Sequence, residues 1–167
     1  MKFSLSMFTV ALAALAAAPL QSAPPVAGAS APDFVLKSVA GNNIRLSEQR
    51  SDVVVLAFTA SWCSECRRHD QLLAELHGRY RDAGLVVLAV SLDRDARGAA
   101  TVASRVDADL PVLMDARGDA GRLYDVDELP TVVLIDRAGV VRDVLEGEAR
   151  DGGRTTNERV RTLLREL

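Results

Sequence analysis

The chain has 167 residues, 49% of them hydrophobic, and a formal net charge of −3. That is apolar material for one core and one domain, and too much for a disordered chain. Acidic and basic residues are interspersed with no basic block, which excludes polyanion binding and attachment to anionic lipid, so no nucleic-acid partner is expected.

The opening stretch, MKFSLSMFTVALAALAAAPLQSA, puts one lysine ahead of an apolar run from Phe3 to Leu20, followed by small residues and prolines. A secretory signal is built this way. The same run, only weakly hydrophobic through its Ala and Ser content, also approaches the ~18 to 20 residues of a membrane span. The expectation is export to the periplasm or another extracytoplasmic space, with residues 1–23 acting as a signal peptide or an N-terminal anchor. Ala27 and Ala29 offer a small-x-small cleavage pattern. Residues 24–30, rich in Pro, Ala and Gly, read as a linker, and 31–167 as the folded domain.

"FVLKSVAGNNIRLSE" shows two short extended runs around a Gly-Asn-Asn turn, which predicts a hairpin. "DVVVLAFTA" is a near-continuous run of β-formers, the pattern of a strand buried on both faces. From Ser64 to Tyr80 the apolar positions Leu72, Leu73, Leu76 and Tyr80 recur at helical spacing, and "DAG" supplies a helix-ending glycine. "LVVLAVSLD" is a second buried-type strand, so strand, helix and strand form a parallel βαβ unit. Residues 96–107 read as a weaker helix, "LPVLMD" as a short apolar strand and "DAGRLYDV" as a helical turn. "TVVLIDRAGVVRDVLEG" holds two extended runs around a turn at Arg137 to Gly139, predicting an antiparallel pair. Val160, Leu163, Leu164 and Leu167 form one stripe of a final helix that covers a sheet face.

The only cysteines, Cys63 and Cys66, stand between the first buried strand and its helix. In an exported chain a lone pair tends to oxidise, yet a bridge closing so small a loop removes little denatured-state entropy. Stapling the fold is therefore a poor reason for it. With the strand ending near Ala60, Cys63 falls at or just before the first helical turn. Unpaired N–H groups and the helix dipole there favour a thiolate and lower a thiol pKa well below ~8.5. Cys63 is the expected nucleophile, exposed at the helix mouth. Cys66, one turn further in and more buried, is placed to attack a mixed disulfide formed on Cys63.

Two other chemistries use the same residues. A zinc site would need both His69 and His77, which are eight residues apart on one helix and so separated by ~12 Å along its axis; the geometry does not close. A copper(I) site on the two thiolates, with His69 as a further ligand, needs fewer donors and stands as an alternative function.

"APDFVLKSVAGNNIRLSE", the "VVVLAFTASWCSEC" block and "YDVDELPTVVLIDRAGVV" together resemble the exported thioredoxin-like thiol:disulfide oxidoreductases of the TlpA/ResA type. The likeness spans nearly everything from Ala31 onwards. It implies an α/β thioredoxin fold, a central mixed β-sheet flanked by helices, carrying an N-terminal β-hairpin extension. It implies a redox-active Cys63–Cys66 pair with no other cofactor and no resident metal. By the same resemblance Pro130 matches the cis-proline facing the cysteines, and Leu129 the residue whose backbone pairs with substrate. A cis bond before the strand would leave Leu129 carbonyl and N–H groups free for an extended peptide. Trp62 would seat the partner as a flat apolar cover. A peroxidase of the peroxiredoxin class shares the "APDF" opening, but Leu56 and Ala60 stand where its Pro and Thr should be.

The chain also departs from the family pattern. Ser64-Glu65 lies between the cysteines where proline is common at the second place. Glu65 favours the protonated thiols while Arg67 and Arg68 oppose it, so the redox tuning by this dipeptide is open. Ala57 occupies the place of thioredoxin's buried acid. His69 falls where relatives carry glutamate; it would accept the Cys66 proton or, protonated, stabilise a thiolate, the alternative being an exposed helix histidine. His77 is expected at the surface. The expected activity is disulfide exchange with partner proteins in the reducing direction, for example in cytochrome c maturation or copper-site assembly. A separate, membrane-embedded protein would donate the electrons, and the domain would act as a monomer.

Overall fold

The computed structural model describes residues 26–106, 109–147 and 153–166. Residues 1–23 lie outside the described residues, as does Leu167 of the expected final stripe.

β1 (Val35–Ser38) and β2 (Asn43–Arg45) form the expected hairpin, with Val35 opposite Arg45 and Lys37 opposite Asn43. Gly41 turns it with φ +101°, a left-handed conformation that glycine adopts without a Cβ clash. β3 (Val53–Thr59) is buried at every position, as its unbroken apolar run requires. It leads into α1 (Cys66–Tyr80), a 3₁₀ turn over Arg81–Ala83 and a left-handed Gly84 that accounts for the predicted glycine stop. β4 (Leu85–Ser91) returns parallel to β3, from Val53 opposite Leu85 to Thr59 opposite Ser91. The βαβ unit is thus present. α1 starts at Cys66 rather than Ser64, because the chain first makes the turn that carries the cysteines.

α2 (Ala96–Ala103) is shorter than the segment expected over 96–107. β5 (Val112–Met114) pairs parallel with β4 and antiparallel with β1, tying the hairpin to the sheet. α3 (Asp119–Leu123) is capped by Asp115, whose two carboxylate oxygens accept from the Asp119 and Gly121 amides at 2.8 Å each. β6 (Thr131–Ile135) and β7 (Val141–Glu146) form the predicted antiparallel pair, with β6 also antiparallel to β3. α4 (Arg154–Arg165) turns Val160 and Leu163 inward.

Among the described residues the result is one seven-stranded mixed sheet, in the order β2-β1-β5-β4-β3-β6-β7. Alternation along β3 divides the core between its faces. Val53, Val55 and Ala57 meet Leu73 and Leu76 of α1 and Val160 of α4, while Val54, Leu56 and Phe58 meet Phe34 and Tyr124. Ahead of Ala31, the backbone is already part of the fold. Gly28 donates to Val141 O and Ala31 to Gly139 O at 2.8 Å each, while Ala29 O accepts from Val141. These bonds place residues 28–30, read above as linker, against the turn between β6 and β7. No helix among the described residues is long and apolar enough to cross a membrane.

Candidate functional site: a disulfide at the mouth of a helix

β3 and β4 run parallel, so both deliver their carboxyl ends to one edge of the sheet, where ligand sites of α/β proteins gather. The turn from Ala60 to Glu65 crosses that edge. Cys63 and Cys66 are bonded there, with S–S 2.07 Å and Cα–Cα 5.3 Å. The Cys63 amide donates to Ala60 O at 3.3 Å, closing the turn. Glu65, at the N-cap position, gives no side-chain cap, and the Cys66 N–H points instead at Cys63 Sγ, 3.1 Å away. A sulfur thus fills the capping place at the positive end of α1. Once the bond is reduced, that N–H and the dipole behind it stabilise negative charge on Cys63.

The two cysteines are unequally exposed, in the expected order but by a smaller margin. Cys66 is fully buried and Cys63 is 8% exposed, an edge at the surface rather than an open side chain. Both pack with Ala60, and Leu129 lies against them from the loop before β6. The Leu129–Pro130 bond is cis. Leu129 enters no backbone hydrogen bond among the described residues, whereas Pro130 O accepts from the Gly147 amide at 2.9 Å. An extended chain could therefore pair with Leu129 beside Cys63.

Trp62 is 71% exposed and borders a groove of about 690 Å³ with Leu92, Arg94, Arg97 and Thr101 on its walls. Ser64, Glu65, Arg67 and Arg68 are exposed around the disulfide. His69 is not an exposed helix histidine. It is 2% exposed, and burial lowers its pKa to about 4, so the imidazole is neutral near pH 7 and holds no charge to offer a thiolate. His77 is half-buried rather than at the surface.

Two side chains that the sequence reading did not single out hold the turn, and a third, Asp70, pairs with one of them. Asp93, after β4, accepts from the Ser61 amide at 2.8 Å, from Ser61 Oγ at 2.6 Å and from Ser91 Oγ at 2.7 Å. Arg105, beyond α2, donates from Nη2 to Ser61 O at 2.8 Å. Asp70 is fully buried on α1 and accepts from Thr59 Oγ1 at 3.0 Å. A signal for Asp70 was available: with Cys66, His69, Leu73 and Leu76 it falls on the inward stripe of the helix, where an unpaired acid has no business. For Asp93 and Arg105, which meet Ser61 from distant segments, no local pattern existed.

The Asp93 clamp depends on Gly98. A Cβ at Gly98 would run into Asp93 Cγ and lie 2.5 Å from its Oδ1, inside any allowed contact. We expect Gly98→Ala to destabilise the fold by about 1–3 kcal/mol, as overpacked sites do, and to slow disulfide exchange because Ser61 loses its carboxylate. Thermal melting and insulin reduction check the two parts; a variant matching wild type in both would show that the clamp does not matter.

Among the described residues no three His, Cys, Asp or Glu side chains gather as a metal site. The sulfurs a copper(I) ion would need are here bonded to each other.

Comparison with known proteins agrees with this geometry. Residues 27–144 match the AhpC/TSA family. The chain is 34% identical over 120 residues to the thiol-disulfide oxidoreductase ResA of Geobacillus kaustophilus, covering 72% of this chain and 69% of that one. It is 32% identical over 123 residues to the thioredoxin-like protein YneN of Bacillus subtilis, covering 72% and 71%. Among solved structures, a putative thiol:disulfide interchange protein DsbE from Chlorobium tepidum superposes with a TM-score of 0.78 at 33% identity, covering 84% of this chain and 99% of that one. With its Cys63–Cys66 disulfide on a thioredoxin-like sheet, the chain belongs to the AhpC/TSA family, among the ResA-like thiol-disulfide oxidoreductases.

Proposed function

We propose that this oxidoreductase works outside the cytoplasm as a reductant of protein disulfides, with Cys63 attacking the partner and Cys66 resolving the mixed disulfide. The observation that carries the reading is the asymmetry of the pair: Cys63 keeps 8% exposure with its sulfur under a helix N–H, and Cys66 behind it has none. Such an arrangement admits one partner sulfur at a time and fixes which cysteine meets it. Leu129, with its backbone groups unused beside Cys63, would pair with the substrate chain, and Trp62 would cover its far side. Ser64 and Glu65, exposed between the sulfurs, would tune the potential.

The chain has only these two cysteines, so electrons must arrive from a separate protein dithiol and leave to a separate protein disulfide. The lysine-led apolar segment at the start supports export, which brings an extracytoplasmic location and a membrane-embedded donor into the reading. Exported apocytochrome c or copper-site cysteines are the substrate class we favour.

Equilibrating the full chain with glutathione redox buffers tests the direction. A reductant stays oxidised until the buffer is made more reducing than the cellular glutathione poise. Because ~30 mV corresponds to a tenfold change in the equilibrium, a pair that remained reduced in oxidising glutathione buffer would reverse the assignment to an oxidant. Tight copper(I) binding by the reduced chain without insulin reduction would favour a metal carrier instead.

A further inference from the structure

Cys66 is fully buried, and a buried thiol must lose its proton before it can attack. Ala57, where a thioredoxin would carry an acid, is an alanine with no exposure. The helix that carries Cys66 holds another buried acid. Asp70 follows Cys66 by four residues within α1, which sets the two on one helix face with their Cβ atoms about 5–6 Å apart.

The two oxygens of Asp70 are held differently. Its Oδ1 accepts from Thr59 Oγ1, but its Oδ2 has no hydrogen bond and stands 3.6 Å from Arg105 Nη1. Arg105 is itself 15% exposed and is held by its other nitrogen on Ser61 O, two residues before Cys63. A buried carboxylate with one oxygen ion-paired but not hydrogen-bonded, its cation anchored to the cysteine turn, is more than a packing group requires.

We propose that Asp70 is the proton acceptor for Cys66 in the resolving step, and that Arg105 positions it. The proposal rests on the exchange reading above. Reduced Cys63, as thiolate, attacks one sulfur of the partner disulfide; the partner's S–S bond breaks and its first thiolate leaves. The Cys66 thiol then passes its proton to Asp70 and attacks Cys63 Sγ. The intramolecular bond forms, the mixed disulfide breaks and the second partner thiolate leaves, so that two electrons have moved from the dithiol to the partner. The proton on Asp70 then goes to the departing thiolate or to water.

Burial raises the Asp70 pKa above its ordinary value, against the opposing pull of the Thr59 hydrogen bond and the Arg105 charge, which brings the carboxylate nearer the basicity that proton transfer from a thiol needs. The titratable and charged groups around it are Arg105 beyond α2, Cys66 and the neutral His69 on α1, and Asp93 after β4, which reaches the same turn through Ser61. β3 contributes the uncharged Thr59.

The test is single-turnover reaction of the reduced full chain with 5,5′-dithiobis(2-nitrobenzoate), which releases one coloured thiolate on attack by Cys63 and a second on resolution by Cys66. In Asp70→Asn the ratio of the second rate to the first should fall about tenfold or more, and the second rate should rise with hydroxide concentration instead of levelling off. In Arg105→Gln the inflection in the pH profile of the second phase should move upward, since the cation that favours the ionised carboxylate is gone. An Asp70→Asn chain with an unchanged rate ratio and pH profile overturns the assignment. Should that variant not fold, an Arg105→Gln inflection that stays in place overturns it equally. Absence of the first phase in wild type would instead sink the exchange reading itself.

Discussion

Replacing Cys63 with serine should stop disulfide exchange outright, lowering insulin reduction by on the order of 10³-fold or more, the scale of losing a covalent nucleophile. The serine hydroxyl keeps the shape of the turn and accepts the Cys66 N–H, so the fold is retained while the sulfur that meets the partner is lost. Cys66→Ser should behave differently. Its Cys63 still attacks, but nothing behind it resolves the product, so a mixed disulfide with the partner accumulates and is visible as a mass increase. The contrast follows from 8% exposure at Cys63 and none at Cys66. If Cys66→Ser were inert while Cys63→Ser trapped the partner, the roles would be reversed and the helix-mouth argument would fall. Equal residual turnover in both would remove the pair from the chemistry altogether.

Acidification should destabilise the oxidised protein through His69 by roughly 3 kcal/mol, the equivalent of a pKa displaced from 6.5 to about 4. The cause is burial, which disfavours the imidazolium. Between these two values the unfolded chain binds a proton that the folded chain refuses, so stability rises with pH across the window. The contribution is complete above about pH 6.5 and is lost as pH falls toward 4. Asp70 acts in the opposite sense: its folded pKa is raised, so stability declines as pH rises above its ordinary 3.8, which blunts the observed slope. Urea unfolding at pH 7.5 and pH 4.5, for wild type and His69→Leu, isolates the histidine term. The variant should lose most of the wild-type difference between the two pH values; parallel behaviour of the two proteins would show that His69 is charged in the fold.

The same histidine marks where sequence reading ends. His69 sits at a position that pattern alone leaves undecided between a proton carrier and a solvated side chain. The sheet and helix packing around α1 bury it and drive it neutral.

Local chemistry in the chain was enough for the elements and for the two sulfurs. An unbroken β-former run can only be a strand covered on both faces, and thiols three positions apart at a helix start are near one another in almost any fold that keeps that helix. The strand, helix and turn assignments from Val35 to Arg165 rest on such short-range rules, and the departures are at boundaries: α1 begins two residues late, and hydrogen bonds to the β6–β7 pair are already made at Gly28. The residues that hold the disulfide turn were decided elsewhere. Ser61 is gripped by Asp93 across 32 positions and by Arg105 across 44, separations over which a charged residue in the sequence looks like any other surface charge. Whether a carboxylate is solvated or sealed in the interior depends on which strands lie over it, and that is fixed only when distant segments close the core.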